Sequence, residues 1–513
     1  MRELRTRNHI FVLSGRSTGG CLTCKQRKKK CDETKPTCLR CRNGDFRCLG
    51  YAPEQNSEPQ LNTDELLSNL SYALNSTPPG SYTHPGFDQN LFEGDSVDHA
   101  TLIQFPRWSN YLLQGTQTEL TRKTMVELIV SQYIRLSSRV MFRSFGVISE
   151  PDLTNHIANR ISNIKRWSWY LGATITQALF GGHQVHRHIN LIDKFARHIT
   201  ASESSSWDPN SLRLGDKLSC LEDLVHYILM TSTSRAAYHL IKLCVPIFLE
   251  LATKIPHIWT STSAISIAHA LCGPMHEMRK FVLWDTMAAT AFGSVPLLHY
   301  DTTIPPSPAH IEHENMILEW VYGCPAEIVV LFAKINGWRA SRWMGQPLMG
   351  AENNEDWRQV EENAKQWTAR IDRIDESAAV VGRLAVQESL RQAVLIYLYM
   401  VMCDADSGDS RVVSAVRQIV QLASTIGSGN PLEIHLMMPC LIAGVAARQE
   451  QHRSLLRRKL QVSRNENVWC LRGADFVPVL DHVWHGAGAG GYPVIWDDYV
   501  NSRCIVLPLD TPV

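Results

Sequence analysis

The sequence predicts an all-α protein with a small cysteine-rich head, a disordered acidic linker and a large helical body. Three observations predict it. Apolar residues recur at helical spacing from about residue 101 onward, clear alternating strands are absent, and six of the 14 cysteines crowd between residues 21 and 48. At 513 residues the chain exceeds one ordinary domain and has ample length to bury a core. Hydrophobic residues at 44% and charged residues at 20% exclude a wholly disordered chain.

Residues 1–15 read as a flexible tail. The opening MRELRTRNHIFVLSGR mixes charged with apolar residues and has neither an apolar h-region nor a small-residue cleavage site, so a secretory signal is not expected and a reducing compartment is. The sequons at Asn69 and Asn75 therefore carry no weight. The longest apolar runs, 393–403 and 436–447, fall short of the ~18 residues a membrane span needs. The net charge of +1 conceals a strong asymmetry. Residues 1–51 hold 13 Lys/Arg against 4 Asp/Glu, residues 52–100 hold no Lys or Arg and 8 Asp/Glu, and the remaining residues hold 38 of each sign. A basic head of this kind is the footprint of a segment that meets a polyanion.

The head, residues 16–51, contains Cys21, Cys24, Cys31, Cys38, Cys41 and Cys48 as two copies of C-x2-C-x6-C, CLTCKQRKKKC and CLRCRNGDFRC. A C-x2-C turn brings two thiolates to one metal at about 2.3 Å. Three sulfurs per copy are one too few for a tetrahedron, but six thiolates complete two tetrahedral zinc sites if two of them bridge. By the pseudo-symmetry Cys21 and Cys38 are the natural bridges. Three disulfides would need an oxidising compartment, and a redox C-x-x-C pair would need a thioredoxin-like βαβ context that neither pair has. So short a segment cannot build a hydrophobic core, so metal must hold it together. Between Cys24 and Cys31, KQRKKK carries five cations without a helix breaker and is expected to be helical.

The run GCLTCKQRKKKCDETKPTCLRCRNGDFRCLGY resembles the Zn2Cys6 binuclear cluster of fungal transcription factors. The resemblance implies two Zn2+ ions, one held by Cys21, Cys24, Cys31 and Cys38, the other by Cys21, Cys38, Cys41 and Cys48. It places Pro36 in the loop joining the halves. It also implies a helix in the major groove of double-stranded DNA reading CGG-type half-sites, with Lys28 as main base reader, Arg27 beside it, and Lys25 and Lys30 on phosphates. Lys29 points to solvent in that scheme. KQRKKK also has the composition of a nuclear import signal.

Residues 52–100 are rich in Pro, Asn, Ser and Gln and cannot bury enough apolar surface to fold alone. Within them residues 63–74 have a cap signal and apolar residues at helical spacing, which suits a transient helix or a short acidic-hydrophobic activation segment. Leu67 and Leu74 make one heptad step where three or four heptads are needed, so a homodimer through a coiled coil finds no support. In the body, 101–513, one apolar stripe is Met125, Leu128, Ile129, Tyr133, Leu136 and Val140. Another is Val412, Ala415, Val416, Ile419, Val420 and Ala423, opened by SGDS at 407–410 and closed by Gly427 and Pro431. Loops are expected at 202–216, 301–308 and 345–356, with a further break near 350. FVLWDTMAATAFG (281–293), YGCPAEIVVLFAKIN (322–336), MPCLIAGVAARQEQ (438–451) and VLDHVW (479–484) resemble the fungal-specific transcription factor domain, a helical regulatory domain, with a departure at His452 and Arg453.

Other motifs lack the context that chemistry requires. GAGAGG at 486–491 is preceded by a helical pattern rather than a strand. His183, His186 and His188, like His310 and His313, lack zincin spacing. The eight scattered cysteines read as inert packing, and the RRK at 457–459 as an exposed helix face. The resemblance thus implies a nuclear, zinc-dependent DNA-binding regulator of RNA polymerase II transcription, with DNA and the transcription machinery as partners and an effector that the sequence does not identify. The alternative is an enzyme whose chemistry lies in the body, with the zinc module only locating it; no clustered acid, base or nucleophile supports that reading.

Overall fold

The computed structural model describes residues 20–21, 23–24, 27–35, 37–44, 48, 119–143, 150–159, 161–201, 213–260, 264–303, 317–344, 356–369 and 377–509. The tail, the acidic linker with its 63–74 stretch, Lys25, Pro36, His310, His313 and the break near 350 lie outside them. The chain divides into two units, Met1–Asn69 and Leu70–Val513.

In the first unit, α1 (Leu39–Arg42) follows Cys38, whose sulfur accepts from the N–H of Cys41 and so caps the helix. The described buried core of this unit is cysteine: Cys21, Cys24, Cys31, Cys38 and Cys41, with Cys48 packed against them. Sulfur here takes the place of the apolar core that so short a segment cannot form.

The described residues of the second unit form seventeen α-helices, four 3-10 turns and two strands of two residues each. The expectation of an all-α body holds, and the strands are a minor addition. Ile265–Ser266 and Tyr300–Asp301 pair in parallel, Ile265 opposite Tyr300. The first apolar stripe lies on α2 (Glu119–Val140), with Met125 and Ile129 buried and Leu128 and Tyr133 partly buried. After α3 (Glu150–Asn159), α4 (Asn163–Phe180) and α5 (Ile189–Ala201), the helices α6 (Leu214–Thr231) and α7 (Ser234–Ala252) pack as a pair. The loop expected to run to residue 216 ends earlier. Asp216 stands in the first turn of α6, where a carboxylate suits the helix dipole and reaches Lys165 Nζ at 3.4 Å.

The short α8 (Ile267–Cys272) leads to α9 (His276–Phe292), which is buried on nearly every side from Met278 onward. Its sequence shows why. FVLWDTMAATAF contains one charge, Asp285, whose carboxylate accepts from Leu297 N at 2.8 Å, Leu298 N at 3.2 Å and the Tyr300 hydroxyl at 2.8 Å. Burial pushes Asp285 up to about 6, against those three donors. Gly293 ends the helix at φ 58°, a conformation that glycine adopts without steric cost, and a Cβ there would lie 2.6 Å from Val500.

Beyond α10 (Ile317–Tyr322) come α11 (Ala326–Met344), α12 (Asp356–Gln366) and the long α13 (Ser377–Met402). Asn336 on α11 ties three helices together. Its Nδ2 donates to Thr286 O at 3.0 Å, and its Oδ1 accepts from Tyr397 at 2.7 Å and Thr290 at 3.2 Å. The second stripe is α14 (Ser410–Thr425), capped by Asp409, with Val412, Ala415, Val416, Ile419 and Ala423 buried. α15 (Met437–Ala446), apolar throughout, is buried throughout. α16 (Glu450–Val462), α17 (Gly473–His485) and α18 (Trp496–Val506) complete the body. From α18, Arg503 Nε donates to Phe292 O at 2.7 Å and the Tyr499 hydroxyl to Ala291 O, satisfying carbonyls left open at the end of α9.

Two expectations need correction. Lys459 does not lie on an exposed face: it is buried on α16, with Nζ 2.5 Å from Glu433 Oε1 and also bonded to Ile426 O. A partner 26 residues away supplies what the local sequence does not announce. Among the scattered cysteines Cys504 is exposed and Cys272 and Cys403 are half-buried; the other five are buried as expected. GAGAGG follows α17 and forms a 3-10 turn, with Gly490 and Gly491 at positive φ, so the phosphate-binding strand–loop–helix is absent there. Among the described residues no helix is long and apolar enough to cross a membrane.

Candidate metal centre and nucleic-acid interface

The two C-x2-C turns are built alike. Cys24 N donates to Cys21 Sγ at 3.4 Å and Cys41 N to Cys38 Sγ at 3.3 Å. Cys21 N donates to Cys31 Sγ at 3.3 Å and Cys38 N to Cys48 Sγ at 3.5 Å. The sequence repeat is thus a structural repeat.

Two sets of four sulfurs result, Cys21, Cys24, Cys31 and Cys38 in one and Cys21, Cys38, Cys41 and Cys48 in the other. Within each, all ligand atoms lie within 4.8 Å of one another. None of the fourteen cysteines is in a disulfide. The Sγ separations are 3.6 Å for Cys21 and Cys38, 3.7 Å for Cys24 and Cys38, and 3.8 Å for Cys21 and Cys41. A tetrahedron with Zn–S bonds of about 2.3 Å has edges of about 3.8 Å, so these sulfurs fit zinc. Burial pushes the Cys21 thiol up to about 12 and raises Cys24 and Cys38 as well. A bound cation reverses that preference by stabilising the thiolates.

The basic segment departs from the expected helix. Arg27 N donates to Thr23 O at 3.0 Å and Lys29 N to Cys24 O at 2.9 Å, while Lys28 between them is left-handed at φ 52°. This is a helix C-terminus, and Lys29 and Lys30 lie past it, outside any helix. The reversal has a cause: Cys31 must return to the sulfur cluster only three residues after Lys28. Arg27 is half-buried, and Lys28, Lys29 and Lys30 are exposed.

One contributor was not legible as such. The Asp32 carboxylate accepts from Leu39 N at 2.9 Å and Arg40 N at 2.7 Å, and from the Thr34 hydroxyl and backbone. The Thr34 hydroxyl and these backbone donors hold its pKa well below the usual carboxylate range. It braces the first half of the repeat to the helix of the second. An acidic residue directly after the third cysteine of a strongly basic segment was the available signal.

The basic module with its sulfur core and the large helical body are each matched by a known family. The fungal specific transcription factor domain matches residues 235–507, more than half of the chain, and the chain belongs to that family. The fungal Zn(2)-Cys(6) binuclear cluster domain matches residues 19–57, which implies zinc binding. Curated relatives match over short stretches. The aspercryptin biosynthesis cluster-specific transcription regulator atnN of Emericella nidulans is 44% identical over 55 residues, 11% of this chain and 9% of its own length. The white-opaque regulator 2 of Candida albicans is 50% identical over 44 residues, 9% and 10% of the two chains. The transcriptional regulatory protein moc3 of Schizosaccharomyces pombe is 35% identical over 97 residues, 17% and 19%. The chain therefore spans less than a fifth of each of these relatives. No solved structure matches.

Proposed function

We propose that the protein is a nuclear regulator of RNA polymerase II transcription that holds two zinc ions and reads CGG-type triplets in the major groove of double-stranded DNA. The observation that supports it is the pair of four-sulfur sets sharing Cys21 and Cys38. One zinc would take Cys21, Cys24, Cys31 and Cys38, the other Cys21, Cys38, Cys41 and Cys48, the shared thiolates bridging. The metal supplies structure, not catalysis, and we read the chain as a regulator rather than an enzyme. Lys28 and Arg27, at the end of the first helical turn, are the proposed base readers. Lys25 and Lys30 are the proposed phosphate contacts, which orient the module without carrying sequence information. The transcription machinery is the expected further partner.

Metal analysis of the purified chain tests the cluster. Wild type should carry two zinc equivalents. Cys38→Ala should lose both, because it serves both sets, whereas Cys48→Ala should leave one site partly filled. A wild-type content of one zinc or none would overturn the binuclear reading.

A further inference from the structure

We propose that a cavity in the helical body binds a compact, uncharged aromatic molecule bearing a hydrogen-bond acceptor such as a ketone or amide oxygen. The cavity, about 230 Å³ and partly open to solvent, lies among α2, α4, α6, α9 and α10, with the chain before α17 also lining it. Tyr133, Trp169, Tyr322 and Trp469 line it, and the lining is mainly apolar. An apolar cavity of about 150 Å³ admits benzene, so this one has room for a larger, bicyclic ring system.

The walls are held in place. Trp169 Nε1 donates to Asp223 Oδ2 at 3.1 Å, Trp469 Nε1 donates to Tyr322 O at 2.8 Å, and Tyr133 stacks on Trp169 at 6.3 Å with planes 12° apart. A site whose aromatic walls are already ordered spares a ligand the cost of ordering them.

The polar end decides the ligand's charge. Lys280 lines the cavity with its side chain only 12% exposed, and its Nζ lies 3.7 Å from Asp223 Oδ1 and 4.0 Å from Glu222 Oε2. Both separations exceed hydrogen-bond length, so the ammonium keeps donor capacity for an oxygen. Asp223 Oδ2 already accepts from Ser168 and Trp169. Burial raises the Glu222 carboxyl well above the usual carboxylate range and raises Asp223 too, against the pull of Lys280, so the charge that a carboxylate brought to Lys280 would meet is that of Asp223, and an ammonium brought to Asp223 would sit beside Lys280. A neutral acceptor meets neither repulsion. His226, a histidine that also lines the cavity, is kept neutral by burial, which lowers its pKa to about 4.

The test is calorimetric titration of the full, zinc-loaded chain with four probes sharing one ring: 2-acetylnaphthalene, 2-ethylnaphthalene, 2-naphthoate and 2-naphthylmethylammonium. The ketone should bind with one equivalent and at least tenfold tighter than either ion. Ser137→Trp, placing an indole at the lining, should weaken the ketone at least tenfold with unchanged circular dichroism. Lys280→Met keeps the aliphatic stem and should reduce the ketone's advantage over 2-ethylnaphthalene to less than threefold. No ketone binding, equal or tighter binding of a charged probe, or full binding by a folded Ser137→Trp would overturn the proposal. Should Ser137→Trp fail to fold, the wild-type probe comparison and Lys280→Met decide it. DNA affinity does not enter these readouts, so failure here leaves the proposed DNA reading untouched.

Discussion

Lys28 combines two properties that rarely coincide on a lysine: a left-handed backbone at φ 52° and a fully presented charge at the end of a helical turn. Glycine tolerates that backbone without strain, so Lys28→Gly removes the side chain while leaving the sulfur cluster undisturbed. If Lys28 donates to guanine acceptors, the substitution should cost about 1–3 kcal/mol on a CGG-containing duplex and flatten the preference for it over a scrambled duplex. Lys30→Ala should instead weaken both duplexes alike and lower the salt slope by roughly one ion, as expected for a phosphate contact. Titrations of both duplexes at several salt concentrations separate the two roles. Equal weakening of both duplexes by Lys28→Gly, at normal zinc content, would make KQRKKK an electrostatic anchor and not a reader.

At the scale of elements, helical periodicity located α2 and α14 because each buries one face. The stripe predicts that face whatever it packs against. The charge run misled at α16, where Arg457, Arg458 and Lys459 look alike in sequence but Lys459 alone is buried against Glu433, a residue of the 3-10 turn Pro431–Leu436. Glu433 also accepts from Gly429 N at 2.8 Å through Oε2, so the pair is hydrogen-bonded on more than one side. Removing one partner strands a buried charge. Glu433→Ala should therefore destabilise the body by about 3–5 kcal/mol, while the double replacement Glu433→Leu with Lys459→Met should cost much less, since an apolar pair of similar volume needs no compensation. Urea unfolding of the three proteins checks this. A double variant as unstable as Glu433→Ala would mean that the pair contributes more than mutual compensation.

Across the whole molecule, what could be read was what a repeated spacing announces, and what could not was fixed by single side chains. The cysteine spacing announced which sulfurs meet, because a C-x2-C turn is local and the repeat relates its two halves. The end of the basic helix at Lys28 and the bracing by Asp32, whose partners lie within eight residues, have no repeat to announce them, and the cavity around Lys280 gathers residues from 129 to 469. Charge is legible over longer stretches, and it supports a prediction about the acidic segment, residues 52–100, which carries −8 next to a head of +9. Two opposite charge runs on one chain compete with DNA for the same cations, and the competition is screened over about 10 Å at 0.1 M salt. Deleting residues 55–95 should then tighten binding to non-specific duplex at low salt, and the gain over wild type should shrink as salt rises. Fluorescence anisotropy with a scrambled duplex at two ionic strengths measures both effects. The deletion leaves the six cysteines and all thirteen cations of residues 1–51 in place, so a loss of affinity could not be ascribed to a missing contact. Unchanged or weaker binding at low salt would show that the acidic run does not screen the head, and the charge asymmetry would then need another explanation.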